Sequence, residues 1–146
     1  MGSQKIQGEL WSKRPKDWAS IQEATGTAGY QHALQLLKIK PTETLLDVGC
    51  GTGFFSDLAF EKGADVTGID ASAALLELAK VRNTGINFLT GEMEDLPFAN
   101  SNFDIVCGFN SIQYAESVKH ALIEAKRVLK GKGEISYYDM GKQRRL

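Results

Sequence analysis

The stretch of sequence that decides the fold is residues 44–53, which read TLLDVGCGTG. A mostly apolar run passes directly into three glycines spaced as GxGxG, and a helical pattern follows from Phe54. Glycine at a strand-to-helix turn permits unusual backbone angles and lets a ligand approach the main chain and the helix N-terminus. These residues therefore predict the first strand, turn and helix of an α/β domain that binds its ligand at this turn.

Beyond this stretch, short apolar runs alternate with helical patterns, as they do in βαβ units. The run 103–109 is almost continuously apolar, which is typical of a strand covered on both faces. Ser72 and Ser117 each precede a helical pattern as candidate N-caps. We expect an α/β fold with one doubly wound, mostly parallel sheet of about five strands. The further predicted strands are 65–70, 86–89, 103–109 and 134–140, and the further predicted helices are 54–62, 73–82 and 118–130.

A separate helical region precedes the first strand. Its pattern covers residues 17–39, with an expected interruption at 25–29 and an end before Pro41. We expect residues 1–43 to be an N-terminal helical flank or lid and residues 44–146 to be the α/β domain, the two forming one globular unit. A helix pair that simply covers one face of the sheet is an equally good interpretation.

The composition excludes several classes of protein. The chain has 146 residues, of which 42% are hydrophobic and 24% charged, close to the average for a soluble globular domain. Its net charge of -1 supports neither a nucleic-acid partner nor an anionic membrane. No apolar run could span a bilayer and no signal core is present, so we expect a cytoplasmic protein. Cys50 and Cys107 lack zinc-site spacing, so we expect reduced thiols and no metal.

Two carboxylates accompany the glycines. Asp47 ends the first strand, where an unpaired carboxylate would be costly, so its partner is either a ligand group or the N–H groups of the loop. Asp70 ends the second strand, about twenty residues after Gly49, where an acidic side chain can accept from the hydroxyls of an adenosine ribose. Capping of the next helix is the alternative role for Asp70. A dinucleotide fingerprint reads GxGxxG, so the GxGxG spacing disfavours a nicotinamide-dependent oxidoreductase.

Four motifs in order resemble those of the class I S-adenosylmethionine-dependent methyltransferases, most closely the type 11 set. The resemblance covers about residues 44–138, is highly specific, and implies a Rossmann-like fold with S-adenosyl-L-methionine as cofactor. The matched stretches are residues 45–53 with motif I, 66–72 with motif II, 91–98 with the adenine-binding loop, and 103–106 and 127–130 with the fourth strand and the helix before the fifth.

The resemblance implies roles for ten residues in cofactor binding. Asp47 and the glycine loop would hold the methionyl part, Asp70 would accept from the ribose hydroxyls, and Ala71 would pack on the adenine ring. The full set is Asp47, Gly49, Cys50, Gly51, Gly53, Asp70, Ala71, Glu92, Met93 and Asn110.

The last three of these residues lie on two loops. Glu92 would accept from the adenine amino group, and the Met93 N–H would face a ring nitrogen. The family often has Asp at position 92, and Glu is one methylene longer. Asn110 corresponds to a position that faces the methionyl group and the acceptor, although a polar cap on the strand end is nearly as good an explanation.

The resemblance implies methyl transfer from S-adenosylmethionine to an acceptor, which we expect to be a small molecule. Trp18, Tyr30 and the loop 110–114 are candidate acceptor contacts, although core packing is the better single explanation for each aromatic. His32 and His120 are interpreted as solvated, and no catalytic residue or general base is assigned. The alternative function is a non-catalytic S-adenosylmethionine-binding or scaffold domain of a larger assembly.

The C-terminal end departs from the family pattern. Family sheets continue past the fifth strand through another helix and two further strands, whereas this sequence ends at Leu146. The fifth strand would then be an edge with unpaired backbone groups. We expect a homodimer or a swapped element at that edge, or else a fragment of a longer protein.

Overall fold

The structure is a computed structural model, and it describes residues 2–139 and 142–145. Helices and strands alternate after two N-terminal helices. In chain order the elements are α1 (Gln4–Trp11), α2 (Pro15–Leu37), β1 (Thr44–Val48), α3 (Phe54–Glu61), β2 (Asp65–Asp70), α4 (Ala73–Arg82), β3 (Asn87–Thr90), β4 (Phe103–Phe109), a 3-10 turn (Ile112–Tyr114), α5 (Val118–Val128), β5 (Leu129–Asp139) and β6 (Lys142–Arg145).

The sheet has the strand order β3-β2-β1-β4-β5-β6. Strands β1 to β5 are parallel, and β6 runs antiparallel to β5. The chain proceeds outward from β1 through β2 and β3, then returns to place β4 on the other side of β1. Ligands bind in α/β sheets where the strand order reverses, beyond the carboxyl ends of the strands. The expected doubly wound α/β fold is confirmed, and it puts the glycine turn after β1 at this reversal.

Apolar cores cover both faces of the sheet. Adjacent residues of a strand point to opposite faces, so Leu45 joins the core beneath α2 and α3, and Leu46 joins the core beneath α5. Neither leucine is exposed to solvent. Ser72 and Ser117 cap α4 and α5 as predicted, accepting from the N–H groups of Leu75 at 3.2 Å and His120 at 3.3 Å.

The N-terminal helices differ from the prediction in two ways. Helix α2 is continuous, so the expected interruption at residues 25–29 is wrong. Interior glycine costs a helix about 1 kcal/mol, and burial of Tyr30 against Phe55 and Phe109 offsets that cost. Helix α1, which precedes the predicted helical region, was missed.

The C-terminal strands also differ from the prediction. Strand β5 begins at Leu129, and the glycines at 131 and 133 lie in a register shift against β4 rather than in a turn before the strand. Strand β6 pairs with residues 136–139 of β5, so the expectation of a completely unpaired edge there is wrong. The predicted end of this strand at Met140 lies outside the described residues.

Candidate functional site

The glycine turn after β1 requires glycine for its backbone angles and for space. Gly49, Gly51 and Gly53 have φ values of 72°, 55° and 75°, a left-handed region that other residues rarely adopt. A Cβ on Gly49 would overlap the side chain of Ser111, whose hydroxyl donates to the Val48 carbonyl at 2.7 Å. The close approach of the loop after β4 to the loop after β1 therefore depends on Gly49.

Asp70 is held at the end of β2 by backbone donors from both sides. Its carboxylate accepts from the N–H of Gly51 and from the N–H of Ser72, each at 2.8 Å. Burial raises the pKa of Asp70, and the N–H donors of Ser72, Gly51 and Ala71 lower it. An ionised carboxylate has about four acceptor sites. The three backbone N–H groups use three of these, so about one remains for a hydrogen-bond donor of a ligand.

Asp47 lies one layer below Asp70, with its carboxylate inside the protein. It is 2% exposed and accepts from the hydroxyl of Ser56 at 2.6 Å. Burial raises the pKa of Asp47 to about 7, with the Ser56 hydrogen bond lowering it and the charge of Asp70 raising it further. Asp47 therefore changes its ionisation near neutral pH, and a cation placed near it would favour the carboxylate form.

The loop after β3 uses two glutamates to bind the start of α1. Glu92 accepts from the Gln4 N–H at 2.6 Å and from the Glu94 N–H at 3.0 Å. Glu94 accepts from the N–H groups of Ser3 at 3.3 Å and Ser117 at 2.7 Å. Carboxylates are favoured at helix N-termini, where N–H groups lack partners within the helix. The expected adenine-binding loop is therefore also the anchor of α1.

Helix α1 crosses the end of the sheet beside Asp70. Gly8 lies so close to the main chain that an added Cβ would be 2.5 Å from the Ala71 carbonyl. The hydroxyls of Ser12 and Ser72 are 2.7 Å apart, so the C-terminal end of α1 also contacts the loop after β2. These contacts close a cleft between α1 and the carboxyl ends of the strands.

Aromatic side chains line the end of the cleft away from the glutamates. The Trp11 ring lies 4.5 Å from the Trp18 ring and 5.4 Å from the Tyr114 ring. Tyr30 and Phe109 lie deeper, with their ring centres 5.3 Å apart. All five aromatics line the same cavity, which has a volume of about 210 Å³.

Seven of the ten predicted cofactor-binding residues line this cavity together: Gly49, Gly51, Asp70, Ala71, Glu92, Met93 and Asn110. Asn110 has a left-handed backbone at the end of β4, with a φ of 49°. Asn tolerates this conformation better than most residues, so β4 can turn sharply at the cleft.

The other three predicted residues lie outside the cavity lining. Asp47 is buried beneath it, and Gly53 packs against Phe88 at the start of α3. The side chain of Cys50 belongs to the apolar core, where burial raises the pKa of its thiol. Direct cofactor contacts of these three residues stay predictions.

Several lining residues were not predicted from the sequence, and one group of them comes from α1 and its N-cap residue. Ser3, Gln4, Gln7 and Trp11 line the cavity, although the predicted helical region began only at residue 17. The apolar spacing of Ile6 and Leu10 with the adjacent Trp11 is the signal that could have indicated this helix. The other unexpected residues are Ile21, Gly26, Ile69, Leu75, Gly91 and Phe109, whereas Ser111 belongs to the predicted acceptor loop 110–114.

The residues considered for acceptor contact divide into two groups. Trp18, Tyr30 and Tyr114 line the cavity, whereas His32 and His120 do not. Tyr30 is only 4% exposed and contacts three phenylalanines, so core packing accounts for most of its surface. Within the described residues, no cluster of three or more His, Cys, Asp or Glu side chains is arranged to hold a metal.

Comparison with known proteins places the chain in a family. Residues 46–137 match the family model described as a methyltransferase domain. The malonyl-[acyl-carrier protein] O-methyltransferase of Serratia marcescens is 35% identical over 97 residues, which are 66% of this chain and 38% of that protein. The demethylmenaquinone methyltransferase of Renibacterium salmoninarum is 36% identical over 95 residues, which are 65% of this chain and 40% of that protein.

A solved structure is also similar to this chain. A chain of the complex between the Trm112 methyltransferase activator of Haloferax volcanii and a candidate methyltransferase superposes with a TM-score of 0.80 and 26% identity. The superposition covers 90% of this chain and 59% of that chain. The present chain spans less than half the length of the first curated relatives it matches.

Proposed function

Since this chain belongs to the class I S-adenosylmethionine-dependent methyltransferases, we propose that its cleft binds S-adenosylmethionine and serves methyl transfer to an acceptor. The observation that carries the proposal is the position of Asp70. Its carboxylate is fixed by backbone N–H groups, including those of Gly51 and Ser72, inside the cavity and keeps acceptor capacity for a ribose hydroxyl.

The residues present fit an adenosyl sulfonium ligand. Gly49 and Gly51 of the glycine turn line the cavity, with left-handed backbone angles that glycine adopts readily. Asp70 and Glu92 are the charged residues among the described lining, so the cavity favours a cationic ligand. Glu92 has acceptor sites beyond those used by Gln4 and Glu94, which supports a contact with the adenine amino group.

The residues of this chain would promote methyl transfer by alignment and exclusion of water. When bound, the cofactor supplies an electrophilic methyl group that an acceptor nucleophile takes by in-line displacement. Helix α1 covers the cofactor side of the cleft through Gln4 and Gly8, and Trp11 and Tyr114 form an apolar wall beside Asn110. Alignment of the acceptor with the methyl group can lower the activation barrier substantially, even where the protein supplies no nucleophile.

The acceptor is proposed to be a small molecule or a small group carried on a larger one. The relatives act on malonyl-[acyl-carrier protein] and demethylmenaquinone by their names. The aromatic end of the cleft, with Trp11, Trp18 and Tyr114, supports an acceptor with apolar surface next to its reacting atom.

Ligand-dependent thermal unfolding tests cofactor binding. A ligand at a hundred times its dissociation constant adds about 2.7 kcal/mol to the free energy of unfolding. We expect S-adenosylhomocysteine to raise the unfolding temperature and NAD to leave it unchanged. A rise with NAD alone would refute the proposal.

A second assay separates an enzyme from a non-catalytic binding domain. The chain is incubated with methyl-labelled S-adenosylmethionine and a metabolite extract, and label is followed into small molecules. At a limiting cofactor concentration, we expect transfer that is strongly reduced in the Asp70→Asn variant. Cofactor binding without any transfer would support the scaffold function instead.

Self-association and location are separate proposals. Strand β6 covers residues 136–139 of β5, so a homodimer formed through β5 would use its other half, residues 129–135. Light scattering that shows a monomer over a wide concentration range would refute this dimer. Among the described residues, no helix has both the length and the apolar character required to cross a bilayer. The expected cytoplasmic location stays a prediction, which cell fractionation would test.

A further inference from the structure

A second depression lies outside the cleft, where α1 ends and α2 begins. We call it the outer groove, and it is lined by Leu10, Trp11, Lys13, Arg14, Asp17, Trp18 and Ile21. Trp11, Trp18 and Ile21 also line the cleft, so the two spaces share one wall. A ligand that extends out of the cleft past this wall would enter the outer groove.

Two apolar side chains that line the outer groove are largely exposed to solvent. Leu10 and Ile21 are each 52% exposed, and Ile6, one turn before Leu10, is 72% exposed. Isolated exposed apolar residues are common, whereas a cluster beside a cleft is typical of a binding surface. Leu10 and Ile21, which line the outer groove, therefore mark it as a place where an apolar group can be buried, and Ile6 extends the exposed apolar surface along α1.

The charge of the outer groove is opposite to that of the cleft. Among residues 1–21 four side chains are cationic and two are acidic, although the whole chain has a net charge of -1. Lys13 and Arg14 line the groove. Arg14 lies 3.9 Å from Asp17, but both side chains are largely exposed, so the pair is weak and does not neutralise the site.

The charged residues that line the cleft are acidic. Its described lining includes Asp70 and Glu92 and contains no Lys, Arg or His. A negatively charged part of an acceptor would be repelled from the cleft and attracted to Lys13 and Arg14 in the outer groove.

We propose that the outer groove binds the non-reacting part of an amphiphilic methyl acceptor, an apolar chain that ends in an anionic group. The reacting end lies in the cleft beside Trp11 and Trp18, the chain follows Leu10 and Ile21, and the anionic group contacts Lys13 and Arg14. The proposal rests on the proposed function, because the reacting end must meet the cofactor. The shared wall of the two spaces and the charge of the groove favour this occupant over a second copy of the chain.

Both tryptophans of the chain line the outer groove and the cleft, so intrinsic fluorescence reports a probe that enters either space, and the variants below assign the signal to the groove. The probes are octanoate, octanol and octyltrimethylammonium, which share one chain length and differ in charge. Each is titrated into the chain saturated with S-adenosylhomocysteine. We expect octanoate to bind about fivefold more tightly than octanol, as two exposed charge contacts allow, and octyltrimethylammonium to bind most weakly.

Variants separate the apolar and charged contributions. Leu10→Gln is expected to weaken binding of octanoate and octanol alike, by about fivefold, because half of the leucine surface is available to the probe. The double variant Lys13→Glu with Arg14→Glu is expected to weaken octanoate alone. The matched controls are Val81→Gln, an apolar residue that is 84% exposed on α4, and Lys126→Glu, an exposed cation on α5.

The outcomes distinguish this proposal from the proposed function. S-adenosylhomocysteine should stabilise all of these variants equally, since Leu10, Lys13 and Arg14 do not line the cleft. Cofactor binding without a preference for octanoate would overturn the proposal for the groove and leave the proposed function standing. Octanoate binding without S-adenosylhomocysteine binding would refute the proposed function, and with it the acceptor role of the groove. A dimer that Leu10→Gln dissociates would show that a second copy occupies the groove.

Discussion

The floor and the cover of the cleft are held in place by different kinds of interaction. The floor is the turn after β1 and the end of β2, where Cys50 and Thr52 are buried and Asp70 joins the two loops. The cover is α1, all of which the structure describes and none of whose residues is buried. It is attached by a few polar contacts, mainly with Glu92 and Ser72. The floor therefore resists change, whereas the cover can detach at a small cost in free energy.

The largest expected effect concerns Asp47, below the floor. The pKa of Asp47 is raised from 3.8 to about 7 in the folded protein, so the folded state holds a proton there that the unfolded state loses first. The protonated Asp47 therefore favours the folded state fully below about pH 4. The free energy of unfolding falls by of order 4 kcal/mol as the pH rises to about 7.

Urea unfolding at a series of pH values tests this prediction with Asp47→Asn. The variant should match the wild type near pH 4 and exceed its stability near pH 8. Asp104→Asn is the control, because the pKa of Asp104 is lowered and its substitution should not flatten this pH dependence. The prediction would be contradicted if the free energy of unfolding had the same dependence on pH between pH 4 and pH 7 in the wild type and in Asp47→Asn.

Gly49→Ala tests the geometry of the floor. Alanine at a φ of 72° is strained, and its Cβ would overlap Ser111, so we expect a loss of about 3 kcal/mol in the free energy of unfolding. Gly131→Ala is the matched control, since nothing lies within 4 Å of an added Cβ there. Equal unfolding midpoints in urea for the two variants would show that the turn is not constrained as described.

Asp70→Asn tests the contact expected with the ribose. Loss of the charge at residue 70 weakens its hydrogen bonds to the ribose, at a cost of roughly 2 kcal/mol in binding free energy. We therefore expect S-adenosylhomocysteine to bind about thirtyfold more weakly in a calorimetric titration. Asp65 begins the same strand at its exposed end, and Asp65→Asn should leave the affinity unchanged. An unaltered affinity in Asp70→Asn would place the adenosyl group elsewhere.

Gln4→Pro tests the cover and has the smallest expected effect. Proline is accepted at the first position of a helix but has no N–H to donate to Glu92. We expect a loss of about 1 kcal/mol in stability and faster dissociation of S-adenosylhomocysteine in stopped-flow measurements. Gln4→Ala keeps the N–H, so S-adenosylhomocysteine should dissociate more slowly from it than from Gln4→Pro. Identical rates for both variants would mean that α1 does not retain the cofactor.

Local sequence was enough to predict the floor. The GxGxG spacing and Asp70 are specified by neighbours along the chain, because left-handed angles, a strand end and a helix start are local properties. The strands β1, β2 and β4 and the caps Ser72 and Ser117 followed from the same kind of pattern.

The cover was decided only by tertiary structure. The anchoring of Gln4 by Glu92 joins residues 88 positions apart, and no local signal specifies such a pair. Packing of Tyr30 against Phe55 and Phe109 makes α2 continuous, which its glycines alone would not predict. The pairing of β6 with β5 likewise depends on a partner strand rather than on strand propensity.

The sequence by itself determined the doubly wound sheet, the glycine turn and the carboxylate beside it, because each follows from periodicity or from the angles that single residues can adopt. The tertiary structure alone decided that α1 closes the cleft, that Asp47 lies beneath the cavity and that the outer groove shares a wall with it. These features depend on which distant surfaces meet, and that is settled by packing and burial over the whole chain.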